Sequence, residues 1–305
     1  MRSRTITPKD PEWPAQLAEL GPYVPPQKLH LAGLRLDVGR KSIAVVGSRR
    51  PTAAGIEAAQ RLTRGLAEAG FAIVSGLAVG IDAVAHKTAL EAGAYTVAVL
   101  GCGLDVDYPR RNSALRRRIA ECGTLVTEYE ARTQPLAHNF PRRNRIIAGL
   151  VTGVVFVEGG VTSGGRITAR CALDSNRQVF AVPGSIRNPM AQGPNELIRR
   201  SEAALVTDVQ HIFDDLASDL IGSDVSVESE VKKVSVVLTE TERSVLHYLD
   251  DEPSPVDAVA NAIELPAGDV ALALSGLELR GLAGRGLAGY NISSHGARIR
   301  AALGS

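Results

Sequence analysis

The chain has 305 residues, 45% of them hydrophobic and 22% charged, with a formal net charge of +1. That length suits about two domains with a large core, and the composition excludes disordered, collagen-like and disulfide-framework classes. No apolar run nears the roughly 20 residues a membrane helix needs, no apolar stretch follows Arg2 and Arg4 to make a secretory signal, and the three cysteines (Cys102, Cys122, Cys171) lack metal-ligand spacing, so a cytoplasmic protein with free thiols and no metal is expected.

Residues 1–40 are rich in proline and read as a lead-in with little regular structure beyond a turn near Trp13 to Leu20. A repeating pattern then begins. Short β-type runs at Ser42–Val46, Ala72–Val74, Thr96–Leu100, Thr124–Val126, Gly153–Val157 and Gln178–Val182 alternate with helical stretches at Thr52–Ala69, Asp82–Glu91, Ser113–Ala120 and Thr168–Asp174. Short β-branched runs followed by a glycine-bearing loop and a helix predict an α/β fold with a parallel, Rossmann-like sheet over 41–217. Residues 218–236 read as a flexible linker. Helical stretches at Glu240–Leu249, Pro255–Ile263 and Gly268–Arg280, then a hairpin over Gly281–Ile292, predict a small winged-helix domain over 237–295.

Charge is unevenly divided. Residues 40–150 hold 16 Lys/Arg against 9 Asp/Glu, whereas 235–295 hold 3 against 9. A basic body and an acidic tail domain imply different partners. Ligands of a parallel sheet sit at the carboxyl ends of its strands. Here those ends carry Gly47-Ser48-Arg49-Arg50, Ser75-Gly76, Gly101-Cys102-Gly103, Glu158-Gly159-Gly160 and Pro183-Gly184. Glycine permits close backbone approach, and helix-start N–H groups attract anions. A shared anion cleft is therefore expected. Ser48 and Arg49 suit a phosphate oxygen, and Ser163-Gly164-Gly165-Arg166 forms a second cradle before a helix. Neither a P-loop nor a dinucleotide fingerprint occurs, so no nucleotide cofactor is expected.

The segment Asn139-Phe140-Pro141-Arg142-Arg143-Asn144-Arg145 packs three arginines and an asparagine into four positions. No acidic residue lies between Arg132 and Glu158, so local sequence offers no carboxylate partner. The guanidinium fork matches phosphate oxygens in pairs, which makes phosphate the expected ligand. Arg110 is a further candidate contact, whereas Arg116, Arg117 and Arg118 read as a solvated helix face. Asp82 and His86, four apart on one helix face, read as a bond that fixes a loop more readily than as an acid–base pair. Asp105 and Asp107 read as turn residues, for want of companion metal ligands.

These blocks resemble the DNA-processing protein A (DprA/Smf) family. The matching stretches are Val46–Arg49, Ser75–His86, Ala98–Pro109, Asn139–Leu150 and Val179–Gly184, in the family's order. The resemblance implies an extended Rossmann-like domain that binds single-stranded DNA and forms a homodimer. It also implies protection of incoming strands during natural transformation (competence), help in loading the RecA recombinase for DNA recombination, and no catalytic role. By position, Arg49 and Arg110 match the family's DNA-contacting residues, and Arg143 and Arg145 fall in its Arg-Asn-Arg block. The family loop Glu-Ala…Ser-Gly-Ser-Leu-Ile-Thr-Ala departs here to Glu158-Gly159…Ser163-Gly164-Gly165-Arg166-Ile167-Thr168-Ala169.

The expected mechanism is sequence-independent capture of phosphates, with counterion release and salt-sensitive binding. Aromatic content is 4%, with Tyr108 and Phe140 nearest the basic residues, so a narrow cleft is favoured over an aromatic platform as the source of strand preference. The acidic winged helix suits protein docking better than DNA reading. Two rivals stay open. Glu158-Gly159-Gly160 echoes the loop of LOG-family phosphoribohydrolases, which release free base from nucleoside monophosphates, and a transcription factor could read duplex DNA with the winged helix.

Overall fold

The computed structural model describes residues 3–37, 39–221, 238–250, 252–286, 289–293 and 300. Two compact units divide the chain, residues 1–224 and 225–305.

The first unit is built on a nine-stranded sheet. Its strands are β1 (Ser3–Ile6), β2 (Leu29–Gly33), β3 (Ser42–Val46), β4 (Ala72–Ser75), β5 (Thr96–Val99), β6 (Thr124–Thr127), β7 (Gly153–Phe156), β8 (Gln178–Ala181) and β9 (Ala204–Leu205). The order is β1-β2-β6-β5-β4-β3-β7-β8-β9. From β6 to β9 all neighbours are parallel. Strands β3 to β7 are buried along their whole length. Helices on both faces impose that burial, which is why those strands read as unbroken apolar runs. One face packs Leu31, Val97, Val154 and Phe156, the other Ile43, Ile73, Val155 and Phe180.

Among the described residues of this unit there are seven α-helices: α1 (Ala53–Glu68), α2 (Ile81–Glu91), α3 (Ser113–Cys122), α4 (Asn139–Gly149), α5 (Gly164–Asp174), α6 (Gln192–Arg199) and α7 (Val209–Ile221). Thr52 caps α1 and Ser163 caps α5, each through a side-chain oxygen that accepts a first-turn amide. Helix α4 tolerates Pro141 because a first-turn amide has no intrahelical acceptor to lose.

Two boundaries differ from the sequence reading. Residues 1–40 are not an irregular lead-in. Strands β1 and β2 pair with each other and then with β6, antiparallel, and so form one edge of the sheet. Leu17 and Leu20, from the turn between them, are fully buried. The segment taken as a linker from 218 begins inside α7, which runs to Ile221. The rest of that segment, residues 222–236, lies outside the described residues.

Strand β3 starts both halves of the sheet. Strands β4 to β6 extend to one side of it, and the chain then crosses through α4 to place β7, β8 and β9 on the other. The carboxyl ends of β3 and β7 thus flank the point where the winding reverses, where a crevice must open.

In the second unit, α8 (Glu240–Tyr248), α9 (Val256–Ala262) and α10 (Ala267–Leu279) precede an antiparallel hairpin of β10 (Ala283–Gly286) and β11 (Gly289–Ile292). Val245, Leu246, Leu274 and Leu277 are among its buried core. Thr239 and Glu242 form a capping box at the start of α8. This is a winged-helix arrangement. Among the described residues no single helix is long and apolar enough to cross a membrane.

Candidate functional site

A cleft of about 710 Å³ opens at the crevice between β3 and β7. Three segments supply most of its lining. Gly47, Ser48 and Arg49 leave β3, Gly159 to Gly165 run from β7 into α5, and Phe140, Arg143 and Asn144 come from α4. Gly47 cannot carry a side chain, because a Cβ there would lie 2.8 Å from both the Glu158 carbonyl and Ile81. Gly160 and Gly164 have open space where a Cβ would stand. The start of α5 thus borders the cleft with little side-chain bulk, although Ser163 Oγ already takes the Arg166 amide; a helix start in such a place favours an anion.

Arg49 is exposed and stands 5.6 Å from the centre of the Phe140 ring, a cation–π contact. Phe140 in turn packs on Tyr108, with centroids 5.5 Å apart and planes tilted by 41°. The loop behind Arg49 is held tightly. Ile81 donates its amide to the Ser48 carbonyl at 3.1 Å, and Gly80 adopts φ +90° against that same carbonyl.

Arg143 forms the floor and is 4% exposed. Its Nη1 donates to the Gly76 carbonyl at 2.9 Å and to the Val99 carbonyl, and its Nε to Asn144 Oδ1 at 3.2 Å. Burial lowers its pKa to about 10, which leaves it charged at neutral pH. Asp82 accepts the amides of Gly76 (3.1 Å) and Ala78 (3.4 Å). Burial raises its carboxyl, opposed by the charge of Arg143. His86 does not bond to Asp82. Its Nδ1 meets Thr96 Oγ1 at 2.8 Å, and burial, then Arg143, lower its pKa to about 3. The two residues fix different elements.

Arg145 lies outside the cleft, 4% exposed. It grips Glu128 with both terminal nitrogens, at 2.7 and 3.1 Å, and donates Nε to the Val24 carbonyl at 2.9 Å. The expectation that this cluster lacks a carboxylate partner is thus corrected. Glu128 arrives from just beyond β6, brought near by the sheet. Arg142 is exposed, 3.8 Å from the same carboxylate.

The residues singled out from sequence therefore separate. Gly47, Ser48, Arg49, Arg143, Asn144, Ser163 and Gly164 line the cleft. Gly76 lines a small adjoining hollow with Arg49 and Arg143. Ser75 is buried and donates to the Val45 carbonyl at 2.7 Å. Arg50 and Arg110 are exposed outside the lining, and Arg166 is half-buried with its amide on the Ser163 cap. Met190 and Ile147 line the cleft but escaped the sequence reading. Met190 carries no sequence signal; it is brought to the site by contacts from distant elements, among them the Gly159 amide, which donates to its carbonyl at 2.6 Å. Asp107 accepts from Ser113 Oγ, a turn role, and no cluster of metal-ligating residues occurs among the described residues.

Fold and site together define a Rossmann-like α/β protein with an anion-suited cleft at its switch point and a winged-helix domain. The chain belongs to the DNA recombination-mediator protein A family, whose profile matches residues 4–217, and the DprA winged helix domain matches residues 233–287. Protein Smf of Escherichia coli is 40% identical, over 90% of this chain and 73% of its own length. The putative DNA processing protein DprA of Mycobacterium tuberculosis (strain H37Rv) is 38% identical, over 99% and 80%. Among solved structures, DNA processing protein A of Streptococcus pneumoniae superposes with a TM-score of 0.67 at 39% identity, covering 70% of this chain and 75% of that one. The Helicobacter pylori protein gives 0.63 at 29% identity, over 72% and 97%.

Proposed function

We propose that the protein is a cytoplasmic, non-enzymatic DNA-processing factor. It binds single-stranded DNA in the cleft between β3 and β7, protects it, and as a homodimer helps load the RecA recombinase during DNA uptake and recombination. The observation that carries this reading is that exposed Arg49 and the start of α5 line one cleft. A phosphate bridges the two, and, beside the narrow cleft expected from the sequence, the Phe140–Tyr108 pair adds a face for an unstacked base. The Helicobacter pylori relative, described by its single-stranded DNA binding mode, supports the choice of ligand.

The phosphoribohydrolase reading needs a carboxylate that faces the ligand. Glu158 is 6% exposed and held by the Thr52 amide at 2.9 Å, the Thr52 hydroxyl at 2.6 Å and Asn188 Nδ2 at 3.1 Å. It is committed to the start of α1, which counts against that chemistry. The deciding experiment is a salt titration of binding to a single-stranded oligonucleotide and its duplex. Tighter, salt-sensitive binding of the single strand is expected. Equal or absent binding, or release of free base from a nucleoside monophosphate, overturns the proposal.

A further inference from the structure

The cleft is poor in free cations. Of its charged lining residues, Arg143 is buried under carbonyl acceptors and Asp82 is buried beside it, so Arg49 alone among them is exposed. One exposed guanidinium and one helix start can neutralise about one phosphate, too little to hold a strand against salt.

Unpaired positive charge lies just outside. The chain leaves the cleft at Tyr108, and two residues later a short 3-10 turn (Arg110–Asn112) leads into α3. Arg110, Arg111, Arg117 and Arg118 are all exposed there. None of the four makes an ion pair among the described residues. Arg117 and Arg118 are consecutive on α3, and Arg111 lies on the 3-10 turn just before it. The neighbouring Arg116 is half-buried and spent on the Leu104 carbonyl. Two carboxylates face this ridge: Asp107, which is bonded to Ser113, and Glu121 on the last turn of α3. Four arginines outweigh them.

We propose that this ridge is a second phosphate-binding track, on which the backbone of the same single strand lies as it leaves the cleft. The inference rests on the cleft reading of the preceding section and adds Arg111, Arg117 and Arg118 to it. From Arg110 to Arg118 the track is about 12 Å long, enough for more than one phosphate. Its side chains are exposed cations suited to phosphate, so it contributes affinity but no base preference.

The test compares wild type with Arg117→Gln/Arg118→Gln on a thymidine tetranucleotide and a thymidine 20-mer. Both side chains are exposed, and an unchanged thermal midpoint verifies folding. The variant is expected to bind the tetranucleotide like wild type and the 20-mer about tenfold more weakly, with a salt slope shallower by about 1.4. Arg117→Lys/Arg118→Lys, which keeps the charge, restores 20-mer binding. Equal 20-mer affinity in wild type and the glutamine variant overturns the track while the cleft stands, and is also the outcome if the ridge serves an acidic protein. Equal losses on both lengths overturn it too. Failure of the wild type to bind either oligonucleotide overturns the cleft reading, and the track with it.

Discussion

Arg145 and Glu128 face each other as two parallel hydrogen-bonding forks, 17 residues apart in sequence and both less than a tenth exposed. Removing one partner of such a pair leaves the other charge buried and uncompensated. Arg145→Ala is therefore expected to cost about 3–5 kcal/mol of stability. Arg49→Ala, at an exposed position, should stay within about 0.5 kcal/mol. Urea unfolding of the two variants side by side checks this, and equal midpoints would refute the structural role of Arg145.

Binding should respond in the reverse order. Arg49→Ala is expected to weaken single-strand binding and reduce the salt slope by about 0.7, one phosphate's worth. Phe140→Ala removes the stacking face and should cost about 1–3 kcal/mol of affinity, with the salt slope unchanged. Fluorescence anisotropy at several salt concentrations separates the two effects. An unaltered affinity in both would show that the strand lies elsewhere.

Gly80 joins the loop after β4 to α2 at φ +90°, and a Cβ there would come 2.2 Å from the Ser48 carbonyl. A backbone atom cannot step aside as a side-chain tip can. Gly80→Ala should cost about 1–3 kcal/mol for its conformation alone, and it should displace Ser48 and Arg49. Loss of both stability and binding is expected; retention of full affinity would mean that the loop tolerates the shift.

His86 gives the protein a pH dependence. Its folded pKa is lowered to about 3 by burial and then by Arg143, whereas an unfolded histidine titrates near 6.5. Between those values the unfolded chain binds a proton that the folded chain refuses. Stability should therefore fall as pH drops from about 6.5 toward about 3, and be level above about 6.5. Asp82, with its carboxyl raised by burial, works in the opposite sense. Its contribution is present in acid and lost as pH rises. His86→Gln should flatten the profile between about pH 5 and about pH 7. A wild-type profile already flat there would contradict the buried neutral ring.

In the winged-helix unit, Thr239 Oγ1 accepts the Glu242 amide at 3.2 Å and Glu242 returns the bond to the Thr239 amide at 2.8 Å. Thr239→Ala is expected to lower the stability of this unit by about 1 kcal/mol. Thermal unfolding followed by circular dichroism would detect it. No change would indicate that Arg280, which also pairs with Glu242, holds the helix start unaided.

Much of this was written locally. Ser42–Val46 followed by glycine and a helix announces a parallel strand, because burial on both faces leaves no room for polar alternation. The glycines at the strand ends announced a cleft. Partners supplied by distant elements were not legible. Arg145 looked like a phosphate ligand because its neighbours offered no carboxylate, and Glu128 reaches it through the sheet. Arg143 does line the cleft, but the Gly76 and Val99 carbonyls that hold its guanidinium come from the ends of neighbouring strands. Strands β1 and β2 are hard to read because a proline-rich stretch separates them and β1 is mostly exposed, and their pairing depends on an edge that β6 offers only once folded.

Arg145 also ties α4 to the Val24 carbonyl, while Leu17 and Leu20 press on Gly149 at the far end of the same helix. The proline-rich stretch thus works as a splint along the back of the helix whose front carries Phe140 and Arg143. Nicking the chain between Leu20 and Val24 would leave every cleft residue in place chemically, yet loosen the beam on which those two are mounted.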